Sequence, residues 1–308
     1  MLRAKKDDEA RRRSPSPARR PSVLLVNGDS LEARGYDEFR IPDVLTVIRQ
    51  MDDISFQVTP TATRAYEIVG GRDLADFDLV HVVSHPLPSE TLLSAVAEHL
   101  AGHRRPLTDM VGIGAPSRLM QMMRLARSGI CVPRTFYMAP QRLAESYAEL
   151  VEDLGYPFLL TRLVSYGADG EWLIDGEEAF IAACWDPDLV MAQEYVPNRG
   201  LHRLLVLGGN VVHATSVRSA YHGSGAGETA RPRDQLSDVR DLDPKAVRTA
   251  VLAAEAMGYE MSAVLLVQHS VSGTWYVLEV QYSTGIGSGS FPEPEINAYS
   301  LYLRRNLA

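Results

Sequence analysis

Short apolar runs alternate with amphipathic stretches along the chain, and the spacing of apolar positions switches between the periods of strand and helix. Val23–Asp29 (VLLVNGD) is a continuous apolar run closed by turn residues, the pattern of a strand buried on both faces. Asp43–Met51 places Val44, Val47, Ile48 and Met51 at helical spacing and predicts a helix. Ile54–Val58 and Phe77–Ser84 (FDLVHVVS) predict two further strands, and Glu90–Leu100 predicts a helix. Strands alternating with helices imply a small doubly wound α/β sheet in this part of the chain. No Gly-x-Gly-x-x-Gly follows the first strand, so a dinucleotide site of that type is unsupported.

Further on, Ser117 is placed to cap a helix whose apolar face uses Leu119, Met120, Met123 and Leu125, a face read as core filler. Gly129 ends that helix, and Val132-Pro133 opens an extended piece. Arg142–Leu154 reads as one amphipathic helix stopped at Gly155. Tyr156–Ile174 reads as two strands around a glycine-containing turn, and Leu189–Val196 as a strand ending at Pro197. Arg203–Leu207 and Val211–Val217, joined by Gly208-Gly209-Asn210, carry the turn chemistry of a hairpin, with Arg203 and Arg218 at its two ends. Ser219–Ser237 is rich in Gly, Ser and Arg and reads as a long mobile loop. Pro244–Met257 is a helix closed by Gly258, Ser262–His269 and Thr274–Gln281 are a strand pair, and Glu295–Leu303 is a terminal helix.

Composition narrows the class. A chain of 308 residues suits two or three small lobes, and 45% hydrophobic content is ordinary for a globular protein. A net charge of -8 argues against general nucleic-acid binding by the folded body. Cys131 and Cys184 lie far apart, in no metal-ligand spacing, and read as buried thiols in a reducing compartment, with no disulfide framework. No apolar run approaches the roughly 20 residues of a membrane span, and no signal peptide is visible, so the expected setting is the cytoplasm without a membrane partner. Residues Met1–Ser22 are basic, polar and Pro/Ser-containing and read as a disordered tail.

The stretch with the most chemistry is Gly273–Gly289, GTWYVLEVQYSTGIGSG. Glu279 sits inside an apolar strand, where an unpaired carboxylate is costly, so a cation, a donor or a metal is expected beside it. Gln281, two residues on, leaves the same face. The Ser283–Gly289 loop that follows can bring backbone N–H groups to an anion. A carboxylate and an amide oxygen beside such a loop suit Mg²⁺ with phosphate. An inner strand whose Glu pairs with an Arg, followed by a turn, is the other reading. Arg162, inside the apolar run PFLLTRLV, poses the same question with opposite charge. His81 and His85 flank the end of a strand and read as packed or exposed rather than as ligands.

In this order the pieces resemble the ATP-grasp superfamily, in particular carboxylate–amine ligases of the ribosomal-protein glutamate ligase type. GAPSRLMQMMRLARSGICVPRTFY is similar to the family's lead-in helix and "Gly-Ile-x-Val-Pro-x-Thr". PFLLTRLVSYGADGEWLI resembles the strand, glycine loop and strand over the triphosphate. MAQEYVP resembles the hinge that holds adenine, GLHRLLVLGGNVVHATSVRSA the hairpin with two functional arginines, and YVLEVQYSTG the "Leu-Glu-Val-Asn-x-x-Pro-Gly" whose Glu and Asn hold magnesium. The resemblance implies an N-terminal α/β lobe (23–113), a central lobe with the glycine loop (114–190) and a C-terminal lobe with the metal site (191–308). It implies ATP and Mg²⁺ as cofactors, and a carboxylate and an amine, on a small molecule or peptide, as substrates. Homodimers are common among such proteins.

Residue by residue, the resemblance puts Glu279 and Gln281 on the metal. It puts Arg118, Arg162 and the loop glycines Gly167 and Gly170 on the phosphates, and Gln193, Glu194, Tyr195 and Val196 at the adenine hinge. Arg203 and Arg218 would meet the γ-phosphate or the substrate carboxylate. Departures are equally plain. Arginines stand near the two lysine positions of the family, Gln281 replaces an Asn, and His202 precedes the hairpin arginine where an acidic residue is common. The family's metal Asp falls near Val264, which cannot ligate. Two readings result: an ADP-forming amide ligase, or a degenerate ATP-grasp protein that binds nucleotide or a protein partner without ligating.

Overall fold

The computed structural model of the chain describes residues 19–26, 40–82, 95–96, 98–101, 107–108, 117–162, 171–184, 189–217, 236–238, 241–281 and 292–307. The expected glycine loop with Gly167 and Gly170, Arg218, His85, the Ser283–Gly289 loop and most of Ser219–Ser237 lie outside these residues, as do residues 1–18 of the tail.

Strands β1 (Ser22–Val26), β2 (Leu45–Arg49), β5 (Leu79–Val82) and β6 (Leu107–Thr108) form a four-stranded parallel sheet in the order β2-β1-β5-β6. Strand β1 is apolar throughout because both faces are covered. Val23 and Leu25 face the C-terminal part of the chain, and Leu24 and Val26 pack with Ile54, Ala65, Phe77, Val96 and Leu100. The helix expected at Asp43–Met51 is instead strand β2. Its Leu-Thr-Val-Ile sequence favours strand, and pairing with β1 sends Val47 and Ile48 to opposite faces of the sheet. Ile54–Val58 is a strand, β3, but it pairs antiparallel with β4 (Thr63–Glu67) in a separate hairpin. The end of the basic tail is docked: Arg19 Nη2 donates to the Asp76 carbonyl at 2.9 Å, and Ser22 N donates to Asp78 Oδ2 at 2.7 Å.

Helix α1 (Arg118–Arg127) is capped by Ser117 as expected, but it buries Gln121, Met122 and Leu125. Met120 and Met123 stay 47% and 45% exposed, so the expected methionine core face lies outward; Cys131, expected buried, is exposed, and Cys184 is half-buried. Next come β7 (Thr135–Tyr137), α2 (Pro140–Glu145), α3 (Tyr147–Leu154), β8 (Phe158–Arg162), β9 (Glu171–Ile174), α4 (Glu177–Ala183) and β10 (Leu189–Glu194). The strands make an antiparallel sheet in the order β7-β10-β8-β9. The single helix expected over Arg142–Leu154 breaks at buried Ser146, whose hydroxyl donates to the Arg142 carbonyl at 2.8 Å. Phe158, Leu160, Ile174 and Ala192 pack under the helices. By alternation, Thr135, Leu159, Thr161, Glu171, Leu173 and Gln193 line the other face.

The third sheet contains β11 (Leu201–Leu207), β12 (Asn210–Val217), β13 (Leu236–Asp238), β14 (Met261–Gln268) and β15 (Trp275–Gln281), ordered β13-β12-β11-β14-β15. Gly208 and Gly209, at φ 53° and 73°, make the β11–β12 turn, which needs two left-handed residues. Helix α5 (Pro244–Met257) and α1 cover one face, with Leu204, Val206, Val264, Leu266, Val277 and Val280 in that core. Helix α6 (Pro292–Arg305) lies on the other face. Its Tyr299, Tyr302 and Leu303 join Leu205, Leu207 and Met261 to Val23, Leu25 and Leu79 of the first sheet. His81 is fully buried there, its ring 5.3 Å from that of Tyr299, as a packed histidine should be.

Candidate active site

The position of Glu279 is decided by one extra residue. Strand β15 pairs Val277 with Leu266 and Glu279 with Leu265, which leaves Leu278 as a β-bulge. Without the bulge, alternation would send Glu279 to the same side as Val277, into the apolar core under α5. With it, Val280 stays in that core while Glu279 and Gln281 share the opposite face, and Gln281 Nε2 donates to Glu279 Oε2 at 3.1 Å. Strand β15 is an edge strand, and its outer backbone donors are met from the α1 region. Val280 N donates to buried Gln121 Oε1 at 3.1 Å, and Val277 N to the Cys131 carbonyl at 2.9 Å.

The register carries the face across the sheet. Glu279 opposes Leu265, Leu265 opposes Arg203, and Arg203 opposes Thr215. With strands about 4.8 Å apart, the Cα atoms of Arg203 and Glu279 are separated by about 10 Å, with both residues on that face. Leu265 lies between them. Val264, the position first aligned with the family's metal Asp, points away into the core with 0% exposure. The position beside Glu279 is therefore Leu265, apolar like Val264. Arg203 Nη1 donates to Glu295 Oε1 at 2.6 Å, and His213 Nδ1 lies 3.1 Å from the same oxygen.

Arg118, the first residue of α1, reaches the face of the central sheet opposite α2, α3 and α4. Its Nη1 is 2.5 Å from Glu171 Oε1, and its Nη2 donates to Gln193 Oε1 at 3.3 Å. Gln193 in turn donates to Thr135 Oγ1 at 3.0 Å. Thus Arg118 and Gln193 meet on this face. Arg162 is the last residue of β8 and pairs with Leu189 of β10, one residue after Thr161, which stands opposite Glu171. At the hinge, Glu194 is committed to structure: its carboxylate accepts from Arg134 N and Nε, each at 3.2 Å. The Val196 carbonyl accepts from Asn198 Nδ2 at 2.8 Å, and burial pushes the Tyr195 hydroxyl pKa up. His202 lies on the α5 side of its strand, edge-on to Trp275 at 5.1 Å, and burial pushes its imidazole pKa down.

Glu171, Gln121, His213, Glu295 and Leu265 were not singled out from the sequence. His213 carried a signal, a polar ring inside the apolar run VVHA; Glu295, eighty-two residues from His213 in sequence, carried none. Among the described residues, no cluster of three or more His, Cys, Asp or Glu side chains forms a metal centre. The carboxylate–amide pair of Glu279 and Gln281 is a hard oxygen donor set. It fits Mg²⁺ that takes its remaining ligands from phosphates and water.

No protein-family model matches the chain, and no curated protein matches its sequence. Solved structures match over nearly its whole length. The ATP-grasp ligase PsnB complexed with minimal precursor is 13% identical, with 94% of this chain and 99% of that chain covered and a TM-score of 0.64. The VanG D-Ala:D-Ser ligase from Enterococcus faecalis is 16% identical, with 94% and 99% covered and a TM-score of 0.66. A RimK domain ATP-grasp protein from Sphaerobacter thermophilus is 16% identical, with 92% and 99% covered and a TM-score of 0.56. The chain therefore has the ATP-grasp fold, an α/β fold with an N-terminal parallel sheet, as the order of its motifs implies.

Proposed function

We propose that the chain is an ATP-dependent carboxylate–amine ligase. In this reading the γ-phosphoryl group of ATP passes to a carboxylate oxygen and ADP leaves. An amine nitrogen then bonds to the acyl carbon, phosphate departs and the amine gives up a proton. The observation that carries the reading is the row Arg203–Leu265–Glu279, with Gln281 beside it, on one face of the third sheet. Arg118 and Gln193 meet on the face of the central sheet opposite α2, α3 and α4. Arg203 neutralises charge on the transferring group, Arg118 holds phosphate as a fork, and residues 193–196 seat adenine. Bound at Glu279 and Gln281, Mg²⁺ would withdraw charge from the phosphates. Arg162 and Arg218, with Gly167 and Gly170 of the covering loop, belong to the same proposal.

A peptide or small-molecule substrate is supported by the neighbours, since a Chryseobacterium gregarium RiPP-associated ATP-grasp ligase holds ADP with a leader and core peptide. That structure is 11% identical and covers 92% of this chain and 97% of its own, with a TM-score of 0.58. A cytoplasmic setting, where ATP is abundant, is part of this reading. None of the described helices is long and apolar enough to cross a membrane. Leu265 beside Glu279 favours a second reading, a nucleotide binder that does not ligate, because it removes a carboxylate from the metal face.

Titration calorimetry with the non-hydrolysable analogue AMPPNP, with and without Mg²⁺, separates the two. A ligase gives Mg²⁺-dependent binding that Glu279→Ala abolishes, and amine-dependent ADP release in a substrate screen. Binding indifferent to Mg²⁺ and Glu279 supports the non-catalytic reading, and no binding sinks both.

A further inference from the structure

The contact between Arg203 and the C-terminal helix is not used by the chemistry above. Glu295 lies in the first turn of α6, 1% exposed, and its Oε1 takes both Arg203 Nη1 at 2.6 Å and His213 Nδ1 at 3.1 Å. The Arg203 side chain is 21% exposed. Burial and these two bonds make Glu295 a fixed acceptor, because a buried carboxylate gives up such bonds only at high cost. It is therefore not a stand-in that a substrate carboxylate displaces. A bond from a buried carboxylate sets the plane of the guanidinium fork. Arg203 stands in register with Leu265 and Glu279 on one face of the sheet.

We propose that Glu295, braced by His213, is a positioning residue that orients Arg203 onto the γ-phosphate; this rests on the ligase site proposed above. The support has a structural logic. Helix α6 packs between the third sheet and strands β1 and β5, so Glu295 is held by that packing rather than by a loop. The first turn of a helix also favours a carboxylate, which suits Glu295 as the acceptor for a cation.

The test compares AMPPNP with ADP, both with Mg²⁺, by calorimetry on the full chain. Glu295→Gln keeps the shape and removes the charge. It weakens AMPPNP binding by about tenfold or more, because a charge-assisted bond no longer orients the arginine. ADP, which has no γ-phosphate, binds within about twofold of wild type. In the Arg203→Met background, adding Glu295→Gln changes nothing further, since no guanidinium remains to position. Glu295→Asp, with the carboxylate withdrawn by one methylene, gives the same AMPPNP-specific loss if Glu295→Gln fails to fold. Equal weakening of both nucleotides, wild-type binding of both, or a further loss on top of Arg203→Met overturns the assignment. A wild type that binds neither nucleotide overturns the ligase reading itself and this assignment with it.

Discussion

Replacing Gln121 with leucine should loosen the metal strand from behind. Gln121 is 7% exposed, and its Oε1 accepts the Val280 N–H at 3.1 Å. Leucine keeps most of the volume but cannot accept. It leaves a buried backbone donor without its partner, at a cost of about 1–3 kcal/mol. Some of this is offset by apolar burial beside Met122 and Leu125, leaving about 1–2 kcal/mol of net destabilisation. For a chain of 308 residues the melting temperature should fall by about 1.5–3 °C. The functional effect is separable. Val280 lies between Glu279 and Gln281, so a shift of its backbone moves both oxygen donors, and Mg²⁺-dependent AMPPNP binding should weaken more than Mg²⁺-free binding. Scanning calorimetry gives the first quantity and titration calorimetry the second. A variant that melts with the wild type and binds Mg²⁺·AMPPNP with unchanged affinity would refute the claim that α1 braces this strand.

Two further outcomes are expected. Asp243 caps α5, accepting from Lys245 N at 2.8 Å, and also accepts from Trp275 Nε1 at 2.7 Å; these bonds hold its carboxyl below the usual pKa, the indole bond foremost. Asp243→Ala should cost about 1 kcal/mol at neutral pH, the worth of a solvent-screened cap. Because the folded pKa is depressed, that stabilisation is fully present above the unfolded value of about 4 and is lost as pH falls through the folded value. Thermal melts of the two proteins should therefore converge in acid; a gap that persists there would refute the linkage. Leu265→Asp places a second carboxylate beside Glu279. The variant should melt lower without Mg²⁺ and gain about 2–5 °C more than wild type when excess Mg²⁺ is added, and an equal gain would show that the two positions do not share an ion.

What the sequence determined by itself was whatever depends on neighbours in the chain. The Gly208-Gly209 turn, the α5 helix from Pro244 to Met257 with Gly258 after it, and the Thr274–Gln281 strand all follow from local turn, cap and alternation rules. They appear where the pattern put them. The order of these pieces carried the fold class, while the bond between Arg118 and Gln193 was not legible from it. Tertiary structure decided what alternation and spacing could not. Asp43–Met51 has helical spacing, yet β1 supplies a ladder that turns 45–49 into strand β2. The bulge at Leu278 chooses the face of Glu279 and moves the missing metal carboxylate from Val264 to Leu265. Glu295 reaches Arg203 across 92 residues. A buried charge records in the sequence only that it needs a partner, because the cost of leaving it unpaired is local while the partner is set by how the lobes pack.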